Sequence, residues 1–204
     1  MAESLALKGL PKKDKLEYIL EVTSKCFEDV GYNQITMDFI AERAEVSKGT
    51  LTYYFRSKEG LISSLIQHHA VKLLKSLRDG IDKAVTPEEK LRIGVELIWN
   101  AFYHDSERLR AYRDLSAQAF FNSNLRTEIV RVERDMRELL VGPIRDILSA
   151  KPAFNEKAVA MRAGMIIGAI GGLVQQIVLD PESFSVDDVE AGCEDIFRFL
   201  VGVE

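Results

Sequence analysis

Three observations predict an all-α protein. No run alternates apolar and polar residues with period two, apolar residues recur at helical spacing along most of the 204 residues, and cap signals punctuate those stripes at short intervals. About nine helices are expected. The first stripe, Leu16, Ile19, Leu20, Thr23, Phe27 and Val30, ends at Gly31, placed as a C′ glycine. Thr36 then reads as an N-cap, with Ile35 and Ile40 as a hydrophobic staple. Ser47 repeats the pattern with Val46 and Leu51. The helix opened by Thr36 ends near Ala44, and two short helices joined so tightly must cross steeply, as in a helix-turn-helix.

Ser57 opens a fourth helix, whose stripe runs through Leu61, Leu65, Ala70, Leu73, Leu74, Leu77 and Ile81. Thr86-Pro87-Glu88-Glu89 is a capping box with proline at the first helical position. Further helices are expected over 87–104, 106–122, 124–149, 156–179 and 185–201. Gly142-Pro143 should kink or interrupt the third of these. Ser185 caps the last, with Phe184 and Val189 as its staple. The expected organisation is a helix-turn-helix domain over 1–57 (with a basic tail, 1–15), a connecting helix over 58–84, and a ligand-binding and dimerisation domain over 85–204.

Composition narrows the function. A 47% hydrophobic chain can bury a core. Cys26 and Cys193, the only cysteines, argue against a disulfide scaffold or a metal cage and fit a reducing cytoplasm. No cofactor or metal motif is expected, and no signal peptide, because no apolar segment follows the first lysines. Ala163–Leu179 carries no charge but is short for a bilayer span and contains Gln175 and Gln176, so a buried helix is expected rather than a membrane segment. Catalysis is not expected either. His68 and His69 point about 100° apart on a helix, which suits neither a metal nor a relay, and His104-Asp105 has no readable nucleophile beside it.

The segment "VSKGTLTYYFRSK" (46–58) concentrates the polar chemistry. On a helix begun at Ser47, Leu51 and Phe55 share one face, while Lys48, Gly49, Thr52 and Tyr53 project from the others. Lys48 lies at the anion-favouring end, glycine admits a close surface, and the hydroxyls suit phosphate oxygens. The arrangement fits a helix laid in the major groove of DNA, and equally a surface helix with packed aromatics.

The sequence "AERAEVSKGTLTYYFRSKEGLI" resembles the TetR family of bacterial transcriptional repressors, and the resemblance extends over about residues 12–66. It implies phosphate contacts by Thr36, Tyr53 and Lys58. Ser47, Lys48, Gly49, Thr50 and Thr52 would lie against the groove floor or its rim. The family often has tyrosine where this chain has Thr52, so the resemblance fixes docking but not base choice there. The resemblance also implies a homodimer, a double-stranded DNA operator and a small-molecule effector. The alternative is a helical ligand-binding protein without sequence-specific DNA binding.

Net charge is −5, and residues 1–60 hold nine basic residues (seven Lys, two Arg) against ten acidic ones (three Asp, seven Glu). Affinity for DNA must then come from placement. Lys8, Lys12, Lys13 and Lys15 of the tail would join Lys48, Arg56 and Lys58.

In the second domain, Trp99, Phe102, Tyr103 and Phe120 are candidates for an effector cavity, with Phe121, Met136, Met161 and Met165. His104, Arg110 and Arg113 could receive an anionic effector. Gly164, Gly168, Gly171 and Gly172 interrupt an apolar helix at about 1 kcal/mol each relative to alanine, which close helix approach would offset. Together with Ile196 and Leu200 of the last helix they mark the expected dimer face, a four-helix bundle of two helices from each chain. "GGLVQQIVLDPESFSVDDV" is slightly similar to the choline-responsive (BetI-type) branch of the family, a similarity that assigns no effector.

Overall fold

The computed structural model describes residues 11–103, 106–151, 154–183 and 185–202. These are helical and contain no strand, in the order α1 (Lys12–Gln34), α2 (Met37–Arg43), α3 (Lys48–Phe55), α4 (Lys58–Ile81), α5 (Pro87–Tyr103), α6 (Ser106–Ala119), α7 (Ser123–Ser149), α8 (Glu156–Leu179) and α9 (Val186–Val201). The all-α expectation holds. His104, Asp105, Phe184 and Lys8 lie outside the described residues, as do the side chains of Phe102 and Val189.

The chain divides into two compact units, Met1–Val71 with Arg110–Arg131, and Lys72–Leu109 with Val132–Glu204. Chain continuity through α4, α6 and α7 joins them.

In the first unit α2 packs on α1 and on α3. The caps read from sequence form. Thr36 Oγ1 accepts from the Phe39 amide at 3.1 Å, and Ser47 Oγ from the Thr50 amide at 3.0 Å. All four staple residues, Ile35, Ile40, Val46 and Leu51, are buried. The α2–α3 turn closes with Val46 N donating to Ala41 O at 2.9 Å, while Glu45 takes a positive φ of 51°. Between α3 and α4, Arg56 reverses the chain at φ 67°, and Ser57 Oγ accepts from the Gly60 amide at 3.2 Å. A Cβ on Gly60 would stand 2.2 Å from the carbonyl oxygen of Phe55. Only glycine lets α4 start so close to the end of α3.

Two expectations need correction. Lys12, Lys13 and Lys15 belong to the first turn of α1 and not to an extended tail. α7 is also one continuous helix through Gly142-Pro143, so the chain is not interrupted there. Gly142 lacks the Cβ that would add to the clash between the proline ring and the residue before it, although the lost donor of Pro143 remains. Leu140 and Ile144 on either side are fully buried, which anchors the helix across the missing donor.

In the second unit α8 packs against α5 and α9. Its buried row is Val159, Ala163, Ile166, Ile170, Val174 and Ile177. By length and composition α8 could cross a membrane; the expected burial is found along one face of it. Its other face carries Met161, Met165 and Leu179, all exposed. The α4–α5 approach is close, since a Cβ on Gly80 would meet Leu97 Cδ1 at 2.4 Å. Thr86 caps α5 through the Glu89 amide at 3.2 Å, while Glu89 reaches back to the Val85 amide rather than to the cap residue's own.

Because the Gly60 clash is with backbone, no side chain can rotate to relieve it. Gly60→Ala should lower stability by about 1–3 kcal/mol, as overpacked positions do, read as a lower denaturant midpoint at unchanged slope.

Candidate nucleic-acid interface

α3 is eight residues long with a two-sided character fixed by its sequence. Leu51 and Phe55 are buried, and Lys48, Gly49, Thr52, Tyr53 and Arg56 are exposed together along the opposite side. Tyr53 is the most open aromatic of the segment, 74% exposed, and packs edge-on against Tyr54 at 5.2 Å. The Lys12 ammonium, from the first turn of α1, lies 5.7 Å from the Tyr53 ring and 5.9 Å from Tyr54. The basic start of α1 therefore meets the exposed side of α3. A Cβ on Gly49 would touch only Ser47 Oγ, at an ordinary 3.6 Å, so nothing within the described residues requires glycine there.

The polar groups are pre-set by local bonds. The Thr52 hydroxyl donates to the Lys48 carbonyl at 2.9 Å, on a residue that is itself exposed. Thr50 and Ser47 share a hydroxyl–hydroxyl bond at 2.9 Å. Lys48 Nζ pairs with Asp38 Oδ2 at 2.8 Å, both side chains mostly exposed, so the ammonium is held over the α2–α3 turn by a contact of small net strength. Arg43 pairs with Asp29 at 3.2 Å in the same exposed manner.

Lys58 departs from expectation. Its Nζ donates to the Tyr32 carbonyl and lies 4.0 Å from the centroid of the Tyr32 ring. Burial lowers its pKa, against the upward pull of Glu59 and Asp114. A phosphate contact by Lys58 requires that it leave Tyr32.

The reason lies at Gly31, where α1 breaks at φ 71°, ψ 173°. The break frees the main chain of Tyr32. Its N–H donates to Asp114 Oδ2 of α6 at 2.8 Å, and its carbonyl takes Lys58. A Cβ on residue 31 would come within 3.2 Å of the same Asp114 oxygen. Burial, with Glu59 adding to it, raises the Tyr32 phenol pKa, while a hydrogen bond with Asn122 lowers it. Tyr32 and Asp114 escaped the sequence reading. The C′ glycine was the one local sign, and it says nothing of a carboxylate 82 residues away.

The effector candidates separate. Trp99 and Met136 are buried in the second unit, and Trp99 stacks on half-buried Tyr103 with centroids 4.8 Å apart. The Trp99 Nε1–H is buried without a hydrogen-bond partner among the described residues. Phe120 and Phe121 face outward at 76% and 92% exposure, against the expectation of a cavity lining. The physical cause is the α6–α7 turn, where the Arg126 guanidinium donates to the Ala119 and Phe120 carbonyls and Asn122 caps α7, turning both rings out. Met161 and Met165 are likewise exposed, on the side of α8 away from its packed row. Arg110 and Arg113 fall in the first unit, apart in membership from Trp99 and Met136.

On the expected dimer face, a Cβ at Gly168 or Gly172 would meet nothing within 4 Å, and one at Gly164 only Arg137 Cδ at 3.6 Å. Gly171, Ile196 and Leu200 are partly exposed, and Phe199 is 85% exposed.

Residues 19–65 match the family described as bacterial regulatory proteins, tetR family. The chain is 34% identical over 101 residues to the HTH-type transcriptional activator FasR of Mycolicibacterium smegmatis, an alignment spanning 50% of this chain and 46% of that protein. It therefore spans under half the length of that relative. It is 23% identical over 190 residues to the fatty acid metabolism regulator protein of Bacillus subtilis, covering 93% of this chain and 95% of that one. Its fold is that of the transcriptional regulator FadR from Bacillus subtilis, solved in complex with stearoyl-CoA, with a TM-score of 0.76 at 22% identity over 92% of this chain and 99% of that one.

Removing the Asp114 carboxylate leaves the part-buried Tyr32 amide without its acceptor. Asp114→Ala should cost about 1–3 kcal/mol in denaturant unfolding and speed hydrogen exchange at the Tyr32 amide. Asp114→Asn, which keeps an acceptor oxygen, should recover most of both.

Proposed function

Because residues 19–65 match the tetR family of bacterial regulatory proteins, we propose that the chain is a TetR-family protein, a dimeric, sequence-specific DNA-binding regulator released from its operator by a small-molecule effector. The observation that carries the reading is the open side of α3. Lys48, Gly49, Thr52, Tyr53 and Arg56 are exposed together above a buried Leu51–Phe55 edge, on a helix rigidly capped at Ser47. Thr52 and Gly49 meet the groove floor, and Thr36, Tyr53 and Lys48 take phosphates, Lys48 exchanging Asp38 for the backbone. Lys58 joins them once it leaves Tyr32. Residues 1–57 serve as the DNA-binding domain, 58–84 as the connecting helix, and 85–204 for effector binding and dimerisation, in a cytoplasmic protein without a catalytic role.

Two copies place the reading helices about one turn of DNA apart, roughly 34–36 Å. Open space beside Gly168 and Gly172, and the exposed Met161, Met165, Leu179 and Phe199, support a dimer through α8 and α9. Met161 and Met165 then belong to the dimer face and not to an effector cavity.

The effector binds in the second unit beside Trp99, Tyr103 and Met136, with an acceptor for the Trp99 indole N–H. A fatty acyl thioester of coenzyme A is the effector class that the stearoyl-CoA complex of the fold relative supports.

Selection from random duplexes followed by sequencing should return a palindrome, with affinity falling steeply as salt rises. Lys48→Ala should abolish selective binding while the fold persists, and recovery of no motif by a folded dimer would instead favour a ligand-binding protein without sequence-specific DNA binding. Acyl-CoA should then release the duplex, and transcription from the recovered operator should fall when the protein is added.

Gly168→Leu tests the dimer separately. The added side chain meets open space within the chain, so the monomer should fold while sedimentation shows loss of the dimer. A dimer of unchanged strength would place the interface elsewhere.

A further inference from the structure

We propose that Glu17, Glu21 and His68 form a binding site for a divalent transition-metal ion of the zinc class. Glu17 and Glu21 stand one turn apart on α1, and His68 comes from α4, all within the first unit. One ligand atom from each, two carboxylate oxygens and an imidazole nitrogen, lies within 4.8 Å of the others. His68 Nε2 and Glu21 Oε1 are 3.3 Å apart. Ligand bonds of about 2.0–2.2 Å at a tetrahedral angle put donor atoms roughly 3.3–3.5 Å apart, so this pair already has the required spacing. Glu17, exposed one turn before Glu21, places its carboxylate oxygen within 4.8 Å of the other two ligand atoms.

The imidazole is the best-placed of the three. Its side chain is only 16% exposed and is oriented by the fold, with the Nε2 edge toward the carboxylates. His69 beside it faces elsewhere, with its Nε2 at 3.2 Å from Ser24 Oγ. Two adjacent histidines thus part, as their helical spacing requires, and the ligand set is completed from α1 instead. One imidazole with two carboxylates and room for water suits Zn(II), Co(II) and Mn(II), and the fourth position opens to solvent. Bound metal would tie α1 to α4 by a link that both helices share.

The experiment uses the full-length protein, stripped with chelator and titrated with ZnCl2 by calorimetry, with CoCl2 as an optical probe. One saturable ion per chain is expected, with a rise in thermal midpoint and a Co(II) visible spectrum free of thiolate charge transfer. His68→Ala and Glu17→Gln should each weaken binding roughly tenfold or more, while His69→Ala leaves it unchanged. Glu17→Gln alters only an exposed side chain, so its result stands even if His68→Ala perturbs folding. No saturable binding by the folded protein would overturn the proposal. So would a thiolate band, which would put the ion at Cys26 or Cys193, or affinity indifferent to Glu17→Gln. None of these outcomes bears on DNA selection by α3.

Discussion

The first unit is organised around a single interruption, the break of α1 at Gly31. A helix that continued would keep the Tyr32 amide and carbonyl inside its own ladder. Turned out at φ 71°, ψ 173°, they become a donor and an acceptor for other elements. Asp114 of α6 takes the donor and Lys58 at the start of α4 takes the acceptor. The Tyr32 ring completes the junction, beneath the Lys58 ammonium and 6.4 Å from Phe27 of the core. Three helices are therefore located by one residue's main chain. A side chain at position 31 would carry the strain of positive φ and crowd the Asp114 carboxylate as well.

From that junction outward, α3 is positioned by backbone rather than by bulk. α3 is too short to hold its own conformation in water. Its beginning is fixed by Ser47 and by the Val46–Ala41 turn bond, its end by Arg56 and by the contact that only Gly60 permits. Leu51 and Phe55 supply the anchorage to the core. This economy leaves the whole remaining face of α3 without a structural duty, which is how so acidic a chain can present a cationic edge. The Lys48 charge there is arranged locally, and the pair it makes with Asp38 is exposed enough to be exchanged at small cost.

What the sequence made legible follows from the range of the forces involved. Caps, staples and the helix-turn-helix act within four or five residues, and Thr36, Ser47, Ser57 and Thr86 each sit where their pattern put them. The exposed side of α3 was legible for the same reason, since periodicity assigns Leu51 and Phe55 to the core. Direction in space was not legible. Phe120 and Phe121 look like core by composition, and only the Arg126 bonds across the α6–α7 turn send them outward. Met161 and Met165 share a helix with a buried row but sit on its other side. Gly142 and Pro143 misled in the opposite sense, because the buried Leu140 and Ile144 hold the helix across them. Tyr32–Asp114 and Glu17–Glu21–His68 join residues far apart in sequence, and no local pattern announces such pairs.

The strength of the Asp114–Tyr32 contact bears on how the proposed regulator would switch. A hundredfold loss of DNA affinity corresponds to about 2.7 kcal/mol of difference between two states. A hydrogen bond to a charged group contributes roughly 1.5–3 kcal/mol when its partner would otherwise be left unsatisfied. One such contact, made in the DNA-competent state and lost in the other, is thus of sufficient size by itself. α6 also belongs to both units by chain continuity, with Asp114 on its first-unit portion. In the proposed regulator, displacement of α6 by an effector would withdraw the carboxylate from the Tyr32 amide and loosen the α1 break on which the junction rests. On that reading the Asp114–Tyr32 contact belongs to the DNA-competent state, in which Lys58 exchanges the Tyr32 carbonyl for a phosphate, so an effector would act by removing the first contact and not by freeing the second.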